Sequence, residues 1–305
     1  MTVNLLFTID VDNDGSQRDA RAPLAWESIG AIPAIKELFE AHRASLTWFV
    51  RADNQLSEVY GSASFLLQEH ATLWSDLEHS GDELAWHPHL YEQTGSEKTW
   101  VAALDPDGCV NKIQTIHAEL ERDGFRFASV RIGEAFHCNA TMRAVDALGL
   151  SVDSTAIPGV TRCDKSRVFD WGTTPNRPYH PSQDDYRIPG AVGRTILEVP
   201  MTSVPIRAAY DGRPVARYVN PTFHHEIFRA LVTRYLAEEA SENRFLVTVL
   251  HPDEVVPQTS SHALYSYSLE TVRQNVVFLL ESLDTRGLEH RTLRMKDVPD
   301  SSHAR

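Results

Sequence analysis

The alternation of short apolar runs with segments of helical period constrains this chain most. Runs at 3–9 (VNLLFTI), 45–50 (SLTWFV), 83–86 (ELAW), 127–132 (FASVRI), 150–153 (LSVD), 196–199 (ILEV), 245–250 (FLVTVL) and 290–293 (HRTL) have the length and composition of strands. Helical period occupies 25–43, 62–79, 110–123, 139–148, 222–240 and 268–286. Strands that alternate with helices build a parallel sheet, because each parallel connection must cross over and a helix fills the crossover. Asn139 and Ser268 sit where N-caps belong, and Gly149 and Gly287 where a left-handed C-terminal residue belongs. No composition shift or repeat divides the chain. The expectation is an α/β fold, a single-domain (β/α) barrel over 1–296, incomplete or distorted with about seven to eight strands, then a frayed C-terminal tail over 297–305. An open doubly wound sheet is the alternative. The connection over 154–195 is too long for an ordinary loop, and its Trp171, Tyr179 and Tyr186 favour an ordered flap.

Composition excludes several partners. A formal net charge of -13 over 305 residues, without a basic stripe, argues against nucleic acid, whose binding relies on clustered Lys and Arg. No segment is apolar for long enough to suggest a transmembrane span, and the first residues lack a positively charged leader. Three widely spaced cysteines, Cys109, Cys138 and Cys163, suit neither a disulfide framework nor a cysteine zinc site, and read as buried thiols. A soluble, cytoplasmic protein is therefore expected. Oligomeric state has no sequence signature here.

Polar residues collect where apolar runs end. In a strand, residues i and i+2 face the same way, so Asp10 and Asp12 of "FTIDVDND" share one face at the end of the first run. Two carboxylates in one small space repel, and a cation relieves them. Asp14 with Gly15 reads as a turn. His87 and His89 of "ELAWHPHLYE" repeat the i, i+2 spacing after the third run, Arg131 ends the fourth, and His251 follows "FLVTVL". Catalytic groups in parallel β/α folds sit at the carboxyl ends of strands, so all of these meet at one rim. Two histidines and one aspartate suit Zn²⁺ or a similar divalent ion with open positions, an arrangement for metal-assisted hydrolysis. The other aspartate and His251 then supply base and acid. "TFHHEIF" at 222–228 reads as a helix start, because adjacent helical residues diverge. His137, His180 and His262 read as surface or loop histidines.

At these residues the chain resembles the polysaccharide deacetylases of carbohydrate esterase family four, of a divergent exopolysaccharide-associated type. "FTIDVD" is similar to the family's Thr-Phe-Asp-Asp strand end, which implies Asp10 as catalytic base and Asp12 as metal ligand. "GDELAWHPHLY" is similar to the second motif and implies His87 as the first histidine ligand. Tyr91 stands at the usual second histidine position, and the His-x-His spacing offers His89 in its place. "SVRIGEAF" resembles the third motif, implying that Arg131 orients the base. "FDWGTTPNRPYHPSQDD" resembles the aromatic flap, with Trp171 a candidate pocket wall, and "FLVTVLHPDEV" resembles the last motif, with His251 the acid. Tyr91 and Arg51 are further candidate substrate contacts, and Arg51 with Asp53 is equally a structural ion pair. The resemblance implies removal of an acetyl group from an N-acetylated sugar or glycoconjugate. Alternatives on the same fold are hydrolysis of a non-sugar amide or cyclic imide, and a metal-free binding protein. An open aromatic wall over 154–195 would favour a sugar, and a closed polar cavity a small amide.

Overall fold

The computed structural model describes residues 2–14, 24–95, 99–163, 168–238, 244–258 and 262–299. Eight strands form its main sheet: β1 (Thr2–Val11), β2 (Leu46–Arg51), β3 (Glu83–His87), β4 (Ser129–Val130), β5 (Val152–Asp153), β6 (Leu197–Glu198), β7 (Arg244–Leu250) and β8 (Glu289–Thr292). Each corresponds to one of the expected runs. The order is β6-β5-β4-β3-β2-β1-β7, all parallel, with β8 pairing beside the start of β1. The sheet curls into an incomplete barrel whose gap between β6 and β7 is spanned by irregular chain. There Thr202 N–H donates to Val247 O (3.2 Å), Val219 N–H to Thr202 O (2.9 Å) and Val249 N–H to Val219 O (3.1 Å).

The two faces of the sheet differ. Val3, Leu5, Phe7, Ile9 and Val11 join the large core under the helices, whereas Leu6, Phe49, Ala85, Val152, Leu197 and Val247 form a small interior cluster with Met295 and Val298. Strand alternation puts Asp10 on the Leu6 face, Arg51 on the Phe49 face, His87 on the Ala85 face and His251 on the Val247 face. Because Val298 is fully buried and Asp297 pairs with Arg294, the packed chain runs past the expected boundary at 297. Residues 300–305 of that tail lie outside the described residues.

Several local expectations are corrected. The helix at Asn139–Ala147 is capped by Cys138 and Thr141, because the Asn139 amide instead ties down the flap, donating to Asp184 O (2.6 Å) and accepting from Tyr186 N–H (2.9 Å). Ser268 does cap its helix, accepting from Thr271 N–H, and Gly149 and Gly287 have φ of 77° and 64°. A helix at Asn54–Tyr60, with Asp53 accepting from Leu56 N–H, was not expected, nor were the hairpins Tyr91–Thr94 with Thr99–Ala102, Thr161–Cys163 with Val168–Asp170, and Ser203–Ile206 with Val215–Tyr218. Cys109 is buried, but Cys138 is intermediate and Cys163 exposed, so only one thiol fits the buried reading. No helix of the described residues is long and apolar enough to cross a membrane.

Candidate active site

Strand parity brings the expected rim residues together. Asp12, His87 and His89 each offer a ligand atom, and these atoms lie within 4.8 Å of one another. His87, 3 % exposed, turns Nδ1 to Arg131 O at 2.7 Å, which leaves Nε2 facing the interior. Burial lowers its pKa to about 4, although Asp10 opposes that shift, so the ring is neutral at pH 7 as a ligand must be. His89 is held the same way through Nδ1, 2.9 Å from the Tyr91 hydroxyl, which donates to Glu134 Oε1 at 3.0 Å. A carboxylate–tyrosine–histidine chain of this polarity makes Nδ1 the protonated nitrogen and aims the Nε2 lone pair at Asp12.

The arrangement fits a metal ion on its own geometry. His89 Nε2 is buried and stands 3.0 Å from Asp12 Oδ2, yet it makes no hydrogen bond with any described residue. Ligands about 2.0 Å from a tetrahedral zinc are roughly 3.3 Å apart, close to this separation. Asp12 keeps Oδ2 for that purpose because Oδ1 is taken by Arg51 Nη1 (2.8 Å) and Asn13 N–H (2.8 Å). Burial pushes the Asp12 carboxyl up, but His89, whenever its ring carries a proton on Nε2, and Arg51 bring it well below the usual carboxylate range.

Asp10 and His251 stand beside the triad. Asp10 Oδ1 accepts from Arg131 Nη1 at 2.5 Å, and Oδ2 lies 3.9 Å from His251 Nε2. Burial raises the Asp10 pKa, but the charge of Arg131, with that of His251, outweighs it and the net shift is downward, so the group is an anion at neutral pH. Arg131 is 1 % exposed and fully engaged: Nη1 also meets Thr8 Oγ1 (2.9 Å), Nε meets Ser154 O (2.8 Å), and Nη2 meets Ser154 Oγ (2.9 Å). Its plane also lies over Phe49, 4.1 Å from the ring centroid.

Glu254 controls His251. Its Oε1 is 3.1 Å from His251 Nδ1, and its Oε2 accepts from His251 N–H (3.0 Å), Asn220 (2.8 Å) and Thr222 (3.0 Å). Burial lowers the His251 pKa, but Glu254, then Asp10 and Asp253, carry it up to about 10. A raised histidine pKa contributes stability in full below the unfolded value near 6.5 and loses it as pH climbs through about 10. The same charge keeps Nε2 protonated at neutral pH. Glu254→Gln is therefore expected to move the alkaline limb of the rate profile downward from about 10, as pH-dependent kcat/KM measurements would show.

Three expected substrate contacts have other roles. Arg51 is 1 % exposed and spends its guanidinium on Asp12, Asn13, Asp53 and Gln55, so it forms the structural ion pair with Asp53 and holds the candidate ligand Asp12 in place. Tyr91 spends its hydroxyl on His89 and Glu134. Trp171 has no exposed surface; its indole N–H donates to Ala135 O (2.8 Å), and it packs edge-on against His137 and Tyr186. The flap aromatics thus join the core instead of walling a pocket, so Trp171, Tyr179 and Tyr186 do not supply the open aromatic wall over 154–195 expected of a sugar site. His137 is likewise no surface residue: it is 3 % exposed and 2.5 Å from Asp153. His225 contacts Asn275 and His224 contacts His262 O, in line with a helix start.

Gly133, Glu134 and Glu254 were not singled out from sequence. A Cβ on Gly133 would lie 2.5 Å from His89 Cδ2 and Cγ, so the bare backbone makes room for the ligand ring. Glu134, with φ of 59°, holds the left-handed conformation that points its carboxylate at Tyr91. The Arg-x-Gly of "RIGE" and the Asp-Glu after "HP" were visible, but only cross-strand geometry gives them work. Tyr91→Phe is expected to keep a folded protein and weaken zinc affinity about 10- to 100-fold, read by competition against a chelator.

The fold is an incomplete parallel barrel that carries, at one rim, an Asp/His/His cluster beside an Asp–Arg pair and a His–Glu pair. The solved structures agree at the level of fold. A putative polysaccharide deacetylase from Mycobacterium smegmatis matches with a TM-score of 0.50 and 15% identity, over 96% of this chain and 93% of the other. Puue allantoinase matches with a TM-score of 0.57 and 14% identity, over 99% and 90%. No family model and no curated protein matches the sequence.

Proposed function

We propose that this protein is a metal-dependent hydrolase that removes an acetyl group from an N-acetylated sugar or glycoconjugate. The convergence of Asp12, His87 and His89, with Asp10 and His251 flanking them, carries this reading. Asp12 Oδ2 and the Nε2 atoms of His87 and His89 would hold the ion, zinc being the best match to the donor set. When bound, such an ion polarises the amide carbonyl and lowers the pKa of water.

The remaining steps belong to side chains. Asp10, kept anionic by Arg131, takes a proton from water, whose oxygen bonds to the carbonyl carbon. As the carbon–nitrogen bond breaks, His251 Nε2 donates its proton to the leaving nitrogen. The products are acetate and a free amine. Glu254 keeps His251 charged until that moment. The fold match to an allantoinase, a protein named for a non-sugar amide, supports small cyclic amides as the second substrate class. Acetate release from the β-1,4-linked trisaccharide of N-acetylglucosamine by zinc-loaded protein tests the first reading; release of none, with allantoin opened instead, would transfer the proposal to the second.

A further inference from the structure

Half-buried tyrosines near Glu254, the partner of His251, have no part in the steps above. Tyr218 ends the strand Val215–Tyr218, and the chain runs on through Asn220 and Thr222, whose side chains donate to Glu254 Oε2. Thr222 O in turn accepts from Ser266 N–H (2.9 Å) and Ser266 Oγ (2.9 Å), while His224 N–H donates to Leu264 O (3.0 Å). Tyr265 and Tyr267 are therefore tied, through Thr222, to the carboxylate that holds His251.

The rings form a continuous patch. The hydroxyls of Tyr218 and Tyr265 are 3.0 Å apart, and the Tyr265 and Tyr267 centroids lie 6.0 Å apart with planes tilted by 34°. Phe223 braces Tyr265 from behind at 5.2 Å, edge-on. Tyr267 has φ of 50°, uncommon for a residue with a Cβ and sustained only where neighbours hold it. Burial first, then the charge of Glu254, raises the Tyr218 pKa, and Asp10 adds to it, so the hydroxyl lies within electrostatic reach of both partners of His251. By contrast, Trp171, Tyr179 and Tyr186 are 0%, 5% and 9% exposed and have no face to offer.

We propose that Tyr218, Tyr265 and Tyr267 form the subsite for the leaving-group side of the substrate, an N-acetylated pyranose whose C–H face stacks on the tyrosine rings. The inference rests on the hydrolase reading, which assigns His251 to the leaving nitrogen and so places the amine-bearing ring on this side of the rim. Aromatic faces suit the C–H face of a sugar ring, and the paired hydroxyls suit its hydroxyl groups. A small acyclic amide would leave this surface uncovered.

The test is calorimetric titration of the N-acetylglucosamine trisaccharide into zinc-loaded Asp10→Asn protein, with circular dichroism to verify folding. Adding Tyr267→Ala or Tyr265→Ala should weaken binding roughly tenfold, and the ring-retaining Tyr267→Phe should stay within about threefold of its parent. Unchanged affinity in both alanine variants, an equal loss in Tyr267→Phe, or no binding of the trisaccharide to the parent would overturn the subsite. Acetate release by wild type is scored separately. Tyrosine-dependent binding without acetate release would sink the hydrolase reading and leave a sugar site; acetate release with tyrosine-independent binding would do the reverse.

Discussion

Asp10→Asn protein is expected to lose at least about 10²-fold in kcat while retaining its metal, because removing a positioned general base costs on the order of 10²- to 10⁴-fold. The amide keeps the volume of the carboxylate and can still accept from Arg131, which is held independently by Thr8 and Ser154. The variant therefore separates proton transfer from architecture. Asp12, His87 and His89 are untouched, and zinc content near that of wild type is the internal control. Turnover of wild-type magnitude in a folded, loaded Asp10→Asn protein would remove Asp10 from the role of base.

Gly133→Ala carries the second large effect, on metal affinity. Its Cβ would arrive 2.5 Å from His89 Cδ2 and Cγ, a distance that real Cβ contacts do not reach. The ring has little room to retreat, since Tyr91 stacks on it at 5.1 Å and His87 meets it edge-on at 4.9 Å. Overpacking of this kind costs about 1–3 kcal/mol, a loss a domain of this size survives, while displacement of Nε2 from the triad should weaken zinc binding by at least roughly 100-fold. A chelator-competition titration in which Gly133→Ala binds zinc like wild type would show that His89 is not a ligand.

How much of this was legible in the sequence depends on the range of the interaction. Strand alternation is local, so all eight sheet strands and the shared face of Asp10, Asp12, His87 and His251 could be read from apolar runs and i, i+2 spacing. Arg51 shows the limit. Its place at a strand end invites a substrate role, but the four side chains that consume its guanidinium come from 12–13 and 53–55 and meet only in the fold. Trp171 failed for a related reason: an aromatic in a long loop looks available, and only packing against His137 and Tyr186 shows that it is buried. Glu254, three residues after His251, and Glu134, 43 residues after Tyr91, were invisible as partners because such pairs acquire meaning only through side-chain direction. Tyr91 is instructive in the opposite sense. It stands where the resembling family has a second histidine, and its hydroxyl fixes the tautomer of the histidine two residues before it, a contact that shows only in the fold.

Elemental analysis of purified wild-type protein beside His89→Ala is the most direct test of the central claim, that Asp12, His87 and His89 bind one divalent ion. Near one equivalent of zinc or a similar metal is expected in wild type, and its loss is expected in a folded His89→Ala protein. Wild-type protein that stays metal-free after reconstitution, or His89→Ala protein that keeps a full equivalent, would contradict it.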